Sequence, residues 1–321
     1  MTTLVTGANG FVGRALLAAL VRHDVDVRTA IRQRNGIGPD DFNTRDLTCR
    51  IGDIGPATDW SVALDGVQSV VHLAARVHVM KESAEDPQAE FRRVNTLGTA
   101  RLATMAAQAG VRRLVYVSTI KVNGEATVDD PFREDDTPQP SDPYAVSKWE
   151  AEQALRRISA ETGMEIVIVR PPLVYGPGVA GNFLVMLKWL ERGIPLPLAN
   201  INNRRSLVGL QNLVSLLTAC LTHPRAAGEV FLASDGEDLS TSELLRRTAQ
   251  SLGKSAHLFP LPVGLLRTIA KVLGKSGVYE RLRGSLVVNS SKAHRLLRWS
   301  PVSSVEDELR RTTDWYLRRE A

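Results

Sequence analysis

The stretch Thr3-Leu4-Val5-Thr6-Gly7-Ala8-Asn9-Gly10-Phe11-Val12-Gly13 decides the fold of this chain. A short apolar run ends in glycines at 7, 10 and 13, and an Ala/Leu-rich segment follows from Arg14 to Val21. That pattern reads as a buried parallel strand, a tight turn and a helix. Glycine permits positive φ in such a turn and lets backbone N–H groups approach a ligand with no Cβ in the way. A helix beginning near Phe11 points its positive dipole end at the same spot, which suits a pyrophosphate.

Beyond that helix, Val25 to Ile31 reads as a second strand and closes a β-α-β unit. Further strands are expected at Leu47–Ile51, Ser69–Leu73, Leu114–Val117 and Glu165–Val169, with helices at Ala89–Ala109 and Pro143–Thr162. Strands alternating with helices predict an α/β fold with a doubly wound parallel (Rossmann) sheet. The rhythm changes at Pro171-Pro172, Gly176-Pro177-Gly178 and Pro195-Leu196-Pro197, where a smaller C-terminal substrate domain is placed. Leu207–Leu221 and Val230–Leu232 are read as returning to the sheet. The expected division is residues 1–173 with 206–233 for the dinucleotide domain, and 174–205 with 234–321 for the substrate domain.

The bulk numbers exclude several classes. The 321 residues bury a full core, and 43% hydrophobic with 23% charged residues is an ordinary globular balance. No run approaches the ~18 apolar residues of a membrane span. Cys49 and Cys220 have no metal-like spacing and read as reduced core residues of a cytoplasmic protein. The six histidines are scattered, so no metal is expected. A net charge of +5 favours anionic ligands, yet no basic patch interleaved with aromatics points to nucleic acid.

At Tyr144-Ala145-Val146-Ser147-Lys148 a phenol and an ammonium share one helix face. A close cation favours the ionised phenol, and a phenol so tuned passes a proton to or from a substrate oxygen. Pro140-Ser141-Asp142-Pro143 supplies the helix start. The fifth strand runs out through Ser118-Thr119, into the crevice where ligands of such sheets bind. The second strand ends Arg32-Gln33-Arg34 with no carboxylate. An acidic residue there would hold the ribose 2′-OH of NAD, so its absence points to NADP(H), with NAD(H) the alternative.

Together these features resemble the extended short-chain dehydrogenases/reductases, in their NAD(P)-dependent nucleotide-sugar epimerase/dehydratase branch. The resemblance rests on the glycine turn, Gly52-Asp53-Ile54, His72-Leu73-Ala74-Ala75, Asn95-Thr96-Leu97-Gly98-Thr99, Ser118-Thr119, Tyr144-x-x-x-Lys148 and Val174-Tyr175-Gly176-Pro177. It implies that Gly7, Gly10, Phe11, Val12 and Gly13 line the cofactor pyrophosphate. Arg32 stands at the adenosine ribose, Asp53 and Ile54 reach the adenine, and Leu73 and Ala74 lie along the cofactor. Thr119 falls at the catalytic hydroxyl position, Tyr144 is the acid/base, and Lys148 holds the ribose and lowers the Tyr144 pKa. Ser118, Thr119, Lys121, Asn182 and Arg205 are the implied substrate contacts, Arg205 meeting the diphosphate bidentately.

Two departures sit in the substrate half: Leu173 replaces the usual Asn, and Ser206 the usual Asp after the arginine. Asn123 replaces the tyrosine of Val-Tyr-Gly. The Ser118–Glu125 segment resembles a subgroup acting on UDP-N-acetylhexosamines in surface-polysaccharide pathways. The expected reaction is 4-keto reduction of a UDP-4-keto-6-deoxy-N-acetylhexosamine, with UDP-sugar 4-epimerisation next and a catalytically silent dinucleotide-binding regulator as the third reading. Ile120 and Lys121 stand where a dehydratase carries an Asp-Glu pair, which disfavours dehydration. A homodimer is expected. The basic, apolar segment Val263–Lys275 reads as a helix packed on the substrate domain with its lysines in water, not as a membrane-surface element, and Ser291-Lys292-Ala293 begins a short helix.

Overall fold

Successive residues of a strand face opposite sides of a sheet, and here both sides are covered. Leu4, Val70, Leu114 and Ile166 enter one apolar cluster, while their neighbours Val5, Val71, Val115 and Val167 enter another. Strands buried on both faces are continuously apolar, which is why these runs do not alternate in sequence. A computed structural model describes residues 1–32, 48–77, 86–272, 274 and 276–320.

The main sheet has seven strands in the order β3-β2-β1-β4-β5-β6-β9, every neighbouring pair parallel. They are β1 (Thr2–Thr6), β2 (Asp26–Ile31), β3 (Thr48–Arg50), β4 (Ser69–His72), β5 (Arg113–Val117), β6 (Glu165–Arg170) and, later in the chain, β9 (Val230–Leu232). Helices α1 (Phe11–Arg22), α2 (Ser61–Leu64), α3 (Pro87–Phe91), α4 (Gly98–Gln108) and α5 (Pro143–Thr162) connect them. Among the described residues no helix is long and apolar enough to cross a membrane. Cys49 and Cys220 are unpaired.

Past β6, β7 (Leu173–Tyr175), β8 (Arg205–Gly209) and β10 (Asp238–Leu239) form a separate sheet, with β8 central. The helices that follow are α6 (Gly181–Glu191), α7 (Leu210–Thr222), α8 (Thr241–Ser251), α9 (Val263–Val272), α10 (Ser276–Arg283), α11 (Ser291–Leu297) and α12 (Val305–Glu320), of which α7 and α11 pack against the main core. A third cluster, with Tyr175, Phe183, Leu187, Leu207, Leu245 and Tyr316, is the core of this part. Val230–Leu232 joins the main sheet as expected. The strand at Leu207 does not: it pairs with β7 and β10, while its Val208 and α7 after it pack against the main core. Arg34 and Leu47 lie outside the described residues.

The helix expected over Ala89–Ala109 begins at Pro87, behind the Asp86 N-cap that accepts from the Ala89 N–H at 3.0 Å. It is broken by a π-helical turn over Arg92–Leu97. Such turns often mark functional sites, and this one carries Asn95. Helix α5 matches its expected span. Asp142 caps the Ala145 N–H at 2.6 Å, Pro143 opens the first turn, and Gly163 closes the helix at φ +77°.

Its buried face repeats at Ala145, Lys148, Glu152 and Leu155, a helical spacing that carries two charges into the interior. Glu152 and Arg170 are essentially inaccessible and meet bidentately, at 3.0 Å from Nε to Oε1 and 2.6 Å from Nη2 to Oε2. The Ser118 hydroxyl donates to Glu152 at 2.5 Å, and Arg170 Nη1 donates to Asn123 Oδ1 at 2.9 Å. One pair thus joins α5, β6, the end of β5 and the turn after it. Arg170→Met strands the Glu152 carboxylate in the core and is expected to cost about 3–5 kcal/mol. A urea titration checks this, and a loss under about 1 kcal/mol contradicts the role given to the pair.

Candidate active site

Gly7 is at φ +67°, and a Cβ there would lie 2.8 Å from the Ala74 backbone nitrogen. A Cβ on Gly13 would meet the Gly7 carbonyl at 2.2 Å. The turn therefore closes only with glycine at both places, packing β1, α1 and the end of β4 together. Gly10, the N-cap of α1, makes no side-chain cap, and the first turn holds no acidic residue. First-turn N–H groups left without intrahelical partners face the C-terminal edge of the sheet, an arrangement that fits a dinucleotide pyrophosphate. Phe11 packs against both the main core and the third cluster, with Gly178 beside its ring.

Leu73 and Ala74 follow β4, and the Ala74 N–H donates to Thr6 Oγ1 at 3.2 Å. Thr6 Oγ1 also lies 2.6 Å from His72 Nδ1, whose Nε2 is 2.9 Å from Thr99 Oγ1. Burial, then the Lys148 charge, pushes the His72 pKa down to about 3, so this imidazole is neutral and structural. Asn95, in the π turn, accepts from the Arg76 N–H at 2.8 Å and donates to the Arg76 carbonyl and to Ser147 Oγ, each at 3.0 Å. It pins the strand-end loop to α5, one turn from Tyr144.

The three catalytic candidates gather where β5 ends against α5. Thr119 follows β5, 8% exposed, its hydroxyl accepting from the Lys121 N–H at 3.3 Å. Lys148 is 2% exposed and donates to the Val117 carbonyl at 2.8 Å. Tyr144 opens α5, with Phe91 edge-on at 6.1 Å and the Lys148 ammonium 6.0 Å from its ring centre. Burial lowers the Lys148 pKa to about 7 against the opposing Glu152 carboxylate. The phenol departs from expectation: burial, then the Asp142 carboxylate, raises the Tyr144 pKa. In this geometry the ammonium is committed to Val117, and Tyr144 holds its proton at neutral pH.

On the substrate side the structure redistributes the expected contacts. Ser118 is buried and gives its hydroxyl to Glu152 inside the core. Lys121 is engaged by Asp142 at 2.6 Å and Glu125 at 3.0 Å, tying the β5 turn to the α5 N-cap. Asn182 is exposed in the first turn of α6. Arg205 is half-buried at the start of β8, donating to the Gly284 carbonyl at 3.1 Å, and burial lowers its pKa despite Glu125 nearby. A cleft of about 610 Å³ lined by Trp149, Arg156, Arg157 and Asp135 contains none of Thr119, Tyr144 and Lys148.

At the far edge, Asp53 and Arg32 form an exposed ion pair at 3.5 Å. Thr58 fixes the Asp53 loop, donating to the Asp53 carbonyl and accepting from the Gly55 N–H, each at 2.9 Å. Ile54 packs so close to α4 that a Cβ on Gly98 would come within 2.5 Å of its methyl group. The sequence reading gave no role to Glu152 and Arg170, and named Asn95 only within a motif. The signal was present for Glu152, a charge at a core position of α5, four residues from Lys148.

The chain matches the NAD dependent epimerase/dehydratase family over residues 3–233, a span holding the glycine turn and all three catalytic candidates. It is 41% identical to a UDP-glucose 4-epimerase of Vibrio cholerae, over 98% of this chain and 95% of that protein. It is 29% identical to an N-acetyl-alpha-D-glucosaminyl-diphospho-ditrans,octacis-undecaprenol 4-epimerase of Escherichia coli O157:H7, over 87% of this chain and 83% of the relative. The fold is that of the UDP-glucose 4-epimerase of Thermotoga maritima solved with UDP-glucose, at a TM-score of 0.79 and 22% identity over the whole of both chains. The UDP-glucuronic acid 4-epimerase of Bacillus cereus, solved with NAD, gives the same TM-score at 23% identity, again over the whole of both chains. With this match along most of its length, the chain belongs to the NAD-dependent epimerase/dehydratase family and is an enzyme of the nucleotide-sugar epimerase, dehydratase and reductase kind.

Proposed function

We propose that the chain is a 4-epimerase of a UDP-linked hexose or N-acetylhexosamine. The observation that carries this reading is the 41% identity, over nearly the full length of both chains, to a UDP-glucose 4-epimerase. The catalytic residues do not separate epimerase from reductase, since both outcomes use the same chemistry at C4. The sequence alone tilts toward the reductase through the basic end of β2. That tilt weakens because Arg32 is paired with Asp53. Reduction of a 4-keto sugar stays the second reading, on the strength of the Ser118–Glu125 segment.

The bound dinucleotide supplies hydride exchange at the sugar C4. Tyr144 moves the proton of the C4 oxygen, taking it as C4 is oxidised and returning it as C4 is reduced. A raised pKa leaves the phenol protonated and ready for the reducing half, while the Lys148 ammonium favours the phenolate that the oxidising half requires. The Thr119 hydroxyl donates to the C4 oxygen and fixes its direction. Lys148 holds the nicotinamide ribose, and Gly7, Gly10 and Gly13 admit the pyrophosphate to the α1 N-terminus. Arg205 takes the UDP diphosphate and Asn182 the adjoining sugar-nucleotide atoms.

Tyr144→Phe is expected to lower kcat by about 10²–10⁴-fold with little change in dinucleotide affinity, because the phenol acts in the transition state. Lys148→Ala should weaken dinucleotide binding as well. Stopped turnover assays and dinucleotide titration check both, and a Tyr144→Phe enzyme keeping most of its kcat removes the acid/base assignment.

Purified protein given UDP-glucose or UDP-N-acetylglucosamine, with no reductant added, is expected to form the galacto epimer, seen as the changed H4 coupling in proton NMR. Stoichiometric oxidation of NADPH by a UDP-4-keto-6-deoxy-N-acetylhexosamine, with no interconversion, turns the reading to reductase.

For the cofactor, Arg32 serves a 2′-phosphate only by leaving Asp53. Asp53→Asn should therefore tighten NADP(H) relative to NAD(H) in the dinucleotide titration. An unchanged ratio of the two Kd values excludes Arg32 as the selector.

A further inference from the structure

Beneath the catalytic helix a fully buried ring has been given no role so far. Tyr116, on β5, lies against His72 with ring centres 5.7 Å apart and planes 24° from parallel. The Lys148 ammonium stands over the same ring, 4.6 Å from its centre. Among the described residues the Tyr116 hydroxyl, with Thr99 beside it, makes no hydrogen bond of ordinary geometry. What this buried phenol offers the lysine is its ring.

An ammonium has three N–H groups and no acceptor of its own. The Val117 carbonyl takes one of those of Lys148. The other charged or titratable groups around it are occupied or neutral. Glu152, one turn further along α5, is held by Arg170 and Ser118. Tyr144, one turn back, is kept neutral by burial, and so is His72 on β4. What β5 turns toward the ammonium is the face of Tyr116. A ring quadrupole attracts a cation without offering an acceptor atom that would compete with a ligand's hydroxyl groups. The ring is itself set by His72, which Thr6 and Thr99 hold from either nitrogen.

We propose that Tyr116 is a positioning residue for Lys148, its ring face holding the buried ammonium charged and in place at the Val117 carbonyl. This rests on Lys148 being the cofactor-side ammonium of the proposed reaction. The stack also makes a path from the glycine turn, through Thr6, His72 and Tyr116, to the catalytic lysine. Removing the quadrupole removes stabilisation of the charged form. The amine then deprotonates at lower pH, and activity falls earlier on the alkaline side, while the acid side is untouched.

The test uses the full chain with Tyr116→Phe, Tyr116→Leu and pentafluorophenylalanine incorporated at position 116, which keeps the ring shape and reverses its quadrupole. Read out are the Lys148 ε-ammonium titration by NMR, dinucleotide affinity and the pH profile of kcat/KM, on protein whose thermal unfolding remains cooperative. Tyr116→Phe should match the native protein in all of these. The leucine and fluorinated variants should lower the Lys148 titration and the alkaline limb together, by about 0.5–1 pH unit, and weaken dinucleotide binding several-fold. The fluorinated variant decides the matter should leucine fail to fold. The proposal is overturned if that variant titrates like the native protein, or if Tyr116→Phe shifts as far as the others. Lys148→Met with native turnover would instead remove the reading of Lys148, while the NMR titration would still report on the ring.

Discussion

The buried Glu152–Arg170 pair is the constraint on which the active-site geometry depends. It joins the helix that carries Tyr144 and Lys148 to the last residue of β6, and through Ser118 and Asn123 to the strand end that carries Thr119. Charges so deeply buried persist only when every lone pair and N–H finds a partner. The carboxylate takes Nε, Nη2 and the Ser118 hydroxyl; the guanidinium also donates to Asn123. A pair bound this closely has directional contacts that apolar packing lacks, so it sets the register of α5 against β5 and β6. Asn123, which stands where relatives of this kind carry a tyrosine, is a member of that network.

Around the pair, each site residue is placed by a separate local device. Asp142 both caps α5 and anchors Lys121, so the first turn of the helix and the turn after β5 move as one. Asn95 does the same between the end of β4 and α5. The glycine turn is set by contact: Gly7 against Ala74, and Gly13 against Gly7 itself. These devices bring residues 7, 74, 119, 144 and 148 to the C-terminal edge of one parallel sheet, the crevice in which open α/β sheets bind their ligands.

The substrate half is assembled differently. Its candidate residues ride on β8 and α6, and Arg205, in the small sheet, donates to the Gly284 carbonyl after α10. Tyr175 ties the two parts: its hydroxyl donates to Asp235, which also accepts from the Gly209 N–H and from Asn212. The helix following β8 then packs against the main core. A single stretch thus belongs to one sheet by its strand and to the other by its helix, which is why its apolar run reads as a strand of the main sheet.

How much was legible follows the range of the forces involved. Local chemistry suffices for the glycine turn, the Pro143–Thr162 helix with its cap, six of the parallel strands to within two residues, and the Tyr144/Lys148 pairing on one helix face. Period, capping and the special backbone of glycine act over a few neighbouring residues, so they are written in the sequence. The π turn at Asn95, the engagement of Ser118 and Lys121, the Arg32–Asp53 pair and the ring beneath Lys148 are not. Several join residues distant along the chain, as Ser118 with Glu152 or Tyr116 with His72. The protonation of Tyr144 belongs with them, because burial is a property of the packed molecule. Sequence alone determined which candidate groups stand on which elements; only tertiary structure decided their partners and their burial, since both are supplied from elsewhere in the chain.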